Sequence, residues 1–437
     1  LTMARKMKDS GIEWIGEIPE GWEVSQLKYA TRWKSEKGCP DAPVLSLYRD
    51  FGVVPKDSRD DNHNVTSLDT SNYKVVDIGD LVINKMKAWQ GSMAVSDYRG
   101  IVSPAYHVCS ITSNKVNKRY LHHLLRNPAY LPEYARLSTG MRIGQWDLGF
   151  DDFKNIPFLI PPLDEQAKIA DYLDNGCASL DVMLTKTRSS IEEYKKLKQA
   201  VITQAVTKGV RGEREMKDSG VEWIGEIPKE WVCEKIKYAT SISRGLFNHR
   251  PRNDERYYNG KYPFIQTGDV ANATKYIVSY SQTLNELGKS VSKEFPKGTL
   301  TMTIAANVGD VAILNFDAYF PDSIVGFIPN KNIRTLYLFY VFSAMKDEFT
   351  RTAIKSTQFN LNIDRVKETF IPVTLNVNEQ CEIENYLESK CAEIDGLIAK
   401  KEQLVKELES YKKSLIYEVV TGKREIFTDI TRKFPNI

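Results

Sequence analysis

Apolar residues recur in alternating steps of four and three along two long stretches of the chain. In the stretch Asp164 to Gly209 this track is Leu173, Cys177, Leu180, Leu184, Thr187, Ile191, Tyr194, Lys198, Val201 and Ala205. Near the C-terminus it is Leu387, Cys391, Ile394, Ile398, Lys401, Val405, Leu408, Lys412, Leu415 and Val419. This spacing is that of a coiled-coil seam. Each stretch predicts a helix about 60 Å long, and neither helix can bury its stripe alone, so we expect the two to pack on each other.

The two predicted helices are copies of one sequence, and a shorter motif is repeated as well. Asp164, Tyr172 and Cys177 correspond to Asn378, Tyr386 and Cys391. The segment MKDSGIEWIGEIPEGWEVSQLKYAT, 7–31, returns as MKDSGVEWIGEIPKEWVCEKIKYAT, 216–240. The order of the chain is therefore short motif, variable block, long helix, and then the same three parts again. Such a repeat predicts two large units that share one fold.

Turn residues and capping residues divide the chain further. Asp164 and Asn378 are typical helix N-caps, and Gly209 and Gly422 are typical stop signals. The Trp, Ile and Pro residues of the short motif predict a turn-rich packing segment that leads into a strand. In the first variable block, short β-rich runs between turns predict strands at 44–48, 73–76, 80–84, 93–95 and 105–109, followed by a helix at 117–125. We predict an α+β protein with boundaries at 1–160, 161–212, 213–373 and 374–437.

Composition narrows the class of protein only slightly. The net charge is +3 and the pI about 8.3, which permits a polyanionic partner without requiring one. No apolar run approaches the ~20 residues of a membrane span, and the first residues lack the apolar core of an export signal. The six cysteines include no CxxC pair, which favours a reduced, cytoplasmic protein without disulfides or zinc.

Sequences that resemble catalytic motifs are all incomplete. Asn127-Pro128-Ala129-Tyr130 resembles the Asn-Pro-Pro-Tyr motif of amino-methyltransferases, but no Gly-x-Gly turn is present to bind S-adenosylmethionine. Gly288-Lys289-Ser290 lacks the first glycine of a P-loop. His122 and His123 are adjacent on a predicted helix, so they point to different sides and cannot share a metal. Pro321-Asp322 has no convincing Glu-x-Lys partner for a nuclease. These observations favour binding over catalysis.

Clusters of cationic, amide and aromatic residues in both variable blocks suggest contacts with DNA phosphates and base edges. Isolated solvated loops often look the same, and the paired placement in both blocks is what favours a binding role. The predicted DNA-contacting residues of the first block are Lys85, Lys87, Trp89, Gln90, Ser92, Arg142, Gln145 and Trp146. Those of the second block are Arg244, Arg250, Thr303, Asn307, Lys355, Gln358, Asn360 and Asn362. The loop 244–256 adds further basic side chains, His249, Arg252 and Arg256.

Over nearly its whole length the chain resembles the specificity (S) subunits of type I restriction-modification systems. The resemblance rests on the doubled MKDSG-[IV]-EWIGEIP and on the Glu-Gln helix starts in IPFLIPPLDEQ and IPVTLNVNEQ. It also rests on KMKAWQGS with IVSPAY in the first block and on IQTGDV with PKGTL in the second. The second helix start departs from the first in lacking the double proline.

The resemblance implies two globular mixed α/β target recognition domains, each reading one half of a bipartite, asymmetric site in double-stranded DNA. The two helices would pack as an antiparallel coiled coil that sets the spacer, with a pseudo-two-fold internal repeat. The chain would be non-catalytic and hold no cofactor. Partners would be two modification (methyltransferase) subunits and restriction/translocase subunits, which bind S-adenosylmethionine, ATP and Mg²⁺. No membrane partner is implied.

Two other classes of protein are consistent with parts of the pattern. A coiled-coil scaffold with two protein-binding domains and no DNA role would show no salt-dependent binding of duplex DNA. A self-contained methyltransferase or nuclease would be active without partners, and the incomplete motifs disfavour it.

Overall fold

In a computed structural model, the described residues are 5–49, 51–59, 66–67, 69–140, 146–305, 307–352, 354–355 and 359–426. They form two compact units. Unit 1 comprises Leu1–Arg188 with Gln403–Ile437, and unit 2 comprises Ser189–Glu402. Both long helices continue through the boundary, so each contributes residues to both units.

The described part of unit 1 combines short strands with three short α-helices, the first part of one long helix and the last part of the other. Its strands are β1 (Met7–Asp9), β2 (Glu17–Pro19), β3 (Glu23–Gln26), β4 (Thr31–Lys34), β5 (Leu45–Tyr48), β6 (Gly52–Pro55), β7 (Lys74–Val76), β8 (Asp80–Asn84), β9 (Met93–Val95), β10 (Gly100–Val102), β11 (Tyr106–Ile111), β12 (Ser138–Thr139), β13 (Asp147–Leu148) and β14 (Pro157–Ile160). Its helices are α1 (Lys118–Leu125), α2 (Leu131–Leu137), α3 (Phe150–Phe153) and the start of α4 (Leu163–Lys208). The predicted strands and the predicted helix of this block are confirmed within one or two residues.

The centre of unit 1 is the antiparallel sheet β4-β11-β8-β9. The three middle residues of strand β8, Leu81, Val82 and Ile83, are apolar and fully buried, so the strand is covered on both faces. One face packs on α1 and the helix pair, and the other covers the small pairs β5-β6 and β7-β10. The outer pairs are β1-β2, β3-β14 and β12-β13.

Unit 2 repeats this plan with an additional sheet. Its strands are β15 (Met216–Asp218), β16 (Glu226–Pro228), β17 (Val232–Lys235), β18 (Thr240–Arg244), β19 (Tyr258–Phe264), β20 (Tyr276–Ile277), β21 (Gln282–Leu284), β22 (Glu294–Phe295), β23 (Leu300–Thr303), β24 (Val311–Leu314), β25 (Ala318–Tyr319), β26 (Ile324–Pro329), β27 (Ile354–Lys355), β28 (Phe359–Asn360) and β29 (Phe370–Val373). Its helices are α5 (Ile236–Ala239), α6 (Thr267–Asn272), α7 (Glu286–Ser290), α8 (Thr335–Ala344), α9 (Lys346–Thr352), α10 (Ile363–Glu368) and the start of α11 (Val377–Val420).

The sheet β18-β26-β23-β24-β20 of unit 2 corresponds to β4-β11-β8-β9 of unit 1. Strands β15-β16 and β17-β29 likewise repeat β1-β2 and β3-β14. The second sheet of unit 2, β21-β19-β25-β22, takes the place of the two small pairs in unit 1. The two units therefore share one scaffold and differ most where the sequences of the variable blocks differ.

The short motif closes each unit in the same way. The indole of Trp22 is fully buried and donates to Glu165 Oε2 at 3.0 Å, and the indole of Trp231 donates to Glu379 Oε2 at 3.1 Å. An arginine lies over each ring and binds the same carboxylate. A Trp-Arg-Glu contact thus fastens the motif to the first turn of each long helix. The predicted packing role of the motif is confirmed.

Helices α4 and α11 pack against each other within each unit. Every position of the two predicted apolar tracks is buried or half-buried. In unit 1, Lys412 Nζ lies 2.6 Å from Asp181 Oδ1, and in unit 2, Lys198 Nζ lies 2.7 Å from Asp395 Oδ2. The two pairs occupy equivalent positions of the repeat. From Asp181 to Lys198 along α4, the partner on α11 changes from Lys412 back to Asp395, so the two helices run antiparallel. The predicted antiparallel pairing and the α+β fold are confirmed.

The helix ends differ slightly from the prediction. Gly209 and Gly422 follow the helices in the left-handed region, at φ +73° and +70°, as expected of stop signals. The predicted N-caps are wrong, because α4 begins at Leu163 and α11 at Val377, which places Asp164 and Asn378 inside the first turn. At the second helix the capping side chain is Asn376, whose Oδ1 accepts from the backbone N–H groups of 378 and 379.

The adjacent histidines of α1 point in different directions, as predicted. His122 Nδ1 accepts from the backbone N–H of Val95 at 3.2 Å, and the Arg126 guanidinium lies 3.0 Å from its Nε2. His123 Nε2 lies 2.6 Å from Asp174 Oδ1 on α4. Burial, assisted by the charge of Arg126, lowers the pKa of His122 to about 3. His122 is therefore neutral in the folded protein.

We expect unit 1 to lose stability in mild acid because of His122. Unfolded histidine has a pKa of about 6.5, so between pH 6.5 and 3 the unfolded chain binds a proton that the folded chain excludes. His122 leaves the free energy of unfolding unchanged above pH 6.5 and lowers it by about 1.4 kcal/mol for each pH unit below that. Chemical denaturation at pH 6.5 and 4.5 should show this loss, and His122→Gln should reduce it by about 2 to 3 kcal/mol. An equal loss in the variant would contradict the assignment.

Among the described residues no helix combines the length and hydropathy needed to cross a bilayer. Nor do their histidine, cysteine and acidic side chains form a cluster that would hold a metal ion. All six cysteines are present as free thiols.

Candidate nucleic-acid interface

In unit 1 the end of strand β8 presents a cationic turn. The chain passes from Asn84 into a 3-10 helix, Lys85–Gln90, and Gly91 ends it at φ +81° with its N–H donating to Ala88 O at 2.7 Å. A glycine is needed here because side-chain-bearing residues rarely adopt this conformation. Lys87 and Gln90 are exposed on this turn. The sequence thus places a cation and an amide where strand β8 ends, at one end of the central sheet.

Two predicted clusters of unit 1 meet at this turn. Lys85 Nζ lies 3.0 Å from Asp147 Oδ2, and the rings of Trp89 and Trp146 meet edge to face with centroids 5.1 Å apart. Among the described residues the Trp89 indole N–H has no hydrogen-bond partner. Residues distant in sequence therefore form one surface with cationic and aromatic groups. Arg142 and Gln145, which were predicted beside Trp146, lie outside the described residues.

A second aromatic group in unit 1 was not foreseen from the sequence. Trp33 on β4 is half-exposed and contacts both Phe150, at 5.0 Å between centroids, and His107, at 6.2 Å. Burial lowers the pKa of His107, and its Nε2 lies 3.2 Å from Leu148 O, so the ring is neutral and donates there. In the sequence this aromatic group is marked only by a tryptophan in a short strand that is otherwise polar, and that pattern is too common to predict a site.

In unit 2 the loop 244–256 carries four arginines, Arg244, Arg250, Arg252 and Arg256, and all four are exposed. Gly245 approaches the backbone of 320–321 so closely that a Cβ would lie 2.2 Å from Pro321 O. Its N–H donates to Ile324 O at 2.9 Å. This close approach needs glycine, and it brings the loop against Asp322.

The other predicted residues of unit 2 lie at the end of β23 and around β27-β28. Asn307 is exposed on the turn that follows β23, whereas Thr303 is buried. Lys355 and Asn360 pair across β27 and β28 with Phe359 and Ile354 respectively, and Gln358 lies outside the described residues. Asn362 caps α10, with its Oδ1 accepting from Asp364 N at 2.8 Å.

The structure thus gathers Lys85, Lys87, Trp89, Gln90 and Trp146 at one edge of unit 1. Arg244 and Arg250 meet in one loop of unit 2. Two of the predicted residues are buried: Ser92, with 3 % of its surface exposed, and Thr303. Contact with DNA by any of these residues stays a prediction.

One scaffold present twice, with different polar loops at equivalent strand ends, is typical of an internally duplicated recognition protein. A family model described as "Type I restriction modification DNA specificity domain" matches residues 19–193 and 242–407, well over half of the chain. The chain belongs to this family, and it is a specificity subunit of the type I restriction-modification kind with two repeats of that domain.

Known proteins similar to the whole chain agree with this assignment. The type I restriction enzyme MjaVIII specificity subunit of Methanocaldococcus jannaschii is 26% identical over 435 residues, covering 93% of each chain. A chain from a structure described as "Structural basis underlying complex assembly and conformational transition of the type I R-M system" matches with a TM-score of 0.72 at 15% identity, over 93% of this chain and 99% of its own. The HsdS subunit from Thermoanaerobacter tengcongensis matches with a TM-score of 0.53 at 15% identity, over 95% and 100%. At such identity the structures compare the fold alone.

Proposed function

We propose that the chain reads a bipartite, asymmetric site in double-stranded DNA, one half through the variable block of unit 1 and the other through that of unit 2. The observation that carries this is the contrast at equivalent strand ends. Strand β8 ends in a turn with Lys87 and Gln90, whereas the equivalent β23 ends in a turn with Asn307. A shared scaffold with different polar groups suits two half-sites of different sequence.

In this proposal the paired helices set the spacer between the half-sites. Each helix is a continuous α-helix of more than 40 residues that contributes to both units. A helix rises about 1.5 Å per residue, so the number of residues in the helices would determine the distance between the two half-sites. A flexible loop does not have a fixed length of this kind. The buried apolar seam fixes the register of the two helices, and the partly exposed antiparallel ion pairs are consistent with that register.

The chain makes no covalent change in DNA itself in this proposal. Two modification subunits would methylate adenine with S-adenosylmethionine, and restriction/translocase subunits would use ATP and Mg²⁺. Two copies of the modification subunit are supported by the short motif, in which 17 of 25 positions are identical between the copies, including exposed Tyr29 and Tyr238. A surface that is present twice suits a partner that binds twice.

Salt-dependent duplex binding tests the DNA role against the scaffold alternative. Exposed Lys87 should contact a phosphate, so Lys87→Ala should weaken binding to all duplexes and reduce the slope of log affinity against log salt by about one. Filter binding or fluorescence anisotropy of the complex with its modification subunits would measure this. Lys8→Ala, an exposed lysine on β1, is the matched control and should leave the slope unchanged. Salt-independent binding, or none, would favour the scaffold.

A further inference from the structure

One carboxylate organises the arginine loop of unit 2. Asp322 Oδ1 binds Arg252 Nη2, and Asp322 Oδ2 lies 3.5 Å from Arg250 Nη2. The backbone oxygen of the same residue accepts from Arg244 Nε at 2.6 Å. Three guanidinium groups, whose like charges would otherwise push them apart, are therefore held around one residue.

The three arginines differ in what remains available for a ligand. Arg250 is engaged on both terminal nitrogens, because its Nη1 also donates to Phe247 O at 2.6 Å and to His249 O at 2.8 Å. Arg252 is held by Nη2 alone, and its Nε and Nη1 make no hydrogen bond within the described residues. Its side chain is 44% exposed. Arg252 is thus fixed at one nitrogen and open along the rest of its fork.

Unit 1 has no carboxylate at the position equivalent to Asp322. Tyr106 pairs with Asn84, the last residue of β8, and Ile324 pairs with Thr303, the last residue of β23. The position two residues before each is Pro104 in unit 1 and Asp322 in unit 2. Pro104 offers only its carbonyl oxygen, which accepts from Lys74 Nζ at 3.3 Å. The carboxylate therefore belongs to the recognition surface of unit 2 alone.

We infer that Asp322 is a positioning residue that fixes Arg252 to read a guanine in the half-site of unit 2, an inference that rests on the proposed function. A guanidinium fork matches the O6 and N7 acceptors of guanine in the major groove. The carboxylate offsets one of the three guanidinium charges, which weakens the attraction for a phosphate, whereas recognition of a base edge depends on the direction of the hydrogen bonds. A phosphate contact also needs no fixed direction, while base readout gains from a side chain that is already held in place.

Methylation mapping in cells that carry the complete system tests this inference. With Asp322→Asn, sites in which one G·C pair of the unit 2 half-site is replaced should gain methylation about tenfold relative to intact sites. The half-site of unit 1 should stay strict and serves as the internal control. Glu368→Gln is the charge-matched control, since this exposed carboxylate of unit 2 binds two lysines and should leave both half-sites unchanged.

A second variant keeps the test decisive if Asp322→Asn removes methylation altogether. Arg252→Lys retains the charge but loses the fork, and it should relax the same G·C position. An unchanged pattern in Arg252→Lys, or relaxation spread over both half-sites, would overturn the inference. Failure of the proposed function would look different, because the unaltered chain would then direct no methylated motif.

Discussion

Exchange of residues 240–368 for the equivalent block of another specificity subunit should replace one half of the methylated site and leave the other half unchanged. The block starts with β18 and ends with α10, so both junctions fall between elements. The strand pair β17-β29 and the motif that surrounds Trp231 remain native and keep the new block in place. The effect is complete rather than partial, because every proposed base contact of unit 2 lies inside the exchanged segment.

The reciprocal exchange, of residues 30–155, provides the control. It should alter the opposite half-site, since β4 and the turn with Lys87 lie inside that block. Sequencing that detects methylated bases in cells with the exchanged chain and its modification subunits would read both outcomes. A change in both halves after a single exchange would show that the units do not read independently.

Insertion of seven residues into each long helix should lengthen the spacer and leave both half-sites intact. Seven residues add two turns and about 10 Å, and they preserve the alternating steps of the apolar seam. The insertion points are the unit boundary, after Arg188 in α4 and after Glu402 in α11, so that the contacts inside each unit are kept. With base pairs ~3.4 Å apart, we expect one to three additional base pairs between the half-sites.

An insertion of the same size outside the helices distinguishes the effect of a longer helix from a general disturbance of the fold. Seven residues placed after Gly38, which is exposed between β4 and β5, should leave the spacer as it is. The same methylation map measures both variants. A spacer unaffected by the helix insertions would remove the helices from their proposed role as the ruler.

The repeats made much of this architecture predictable. Strong periodicity over 40 residues identified both helices, and their shared need to bury the seam predicted the pairing. Strand β8 agrees with the prediction to the residue, because the turn signal at 78–80 and the polar Asn84 border the apolar run 81–83. Turn residues and apolar periodicity are local features of the sequence. They therefore predict correctly the helices and strands whose ends are determined by neighbouring residues.

Features that depend on distant residues were not predictable. The sheet β21-β19-β25-β22 joins strands from 258–264, 282–295 and 318–319, and its β19-β25 pairing is parallel. In the sequence Asp322 resembles only half of a nuclease motif, since nothing there places it beside Arg252. The burial of Ser92 and Thr303 likewise depends on how the strands pack. Side-chain burial and long-range contacts follow from the assembled fold, and a single sequence does not encode them in any local pattern.

We propose that this chain selects a DNA site in two separate parts. The decisive measurement is a map of methylated adenines in a host genome, with and without the chain and in the presence of its modification partner. We expect a motif that requires the chain and consists of two unlike short sequences separated by unspecified bases. A methylated motif that persists without the chain, or a single contiguous motif, would contradict it.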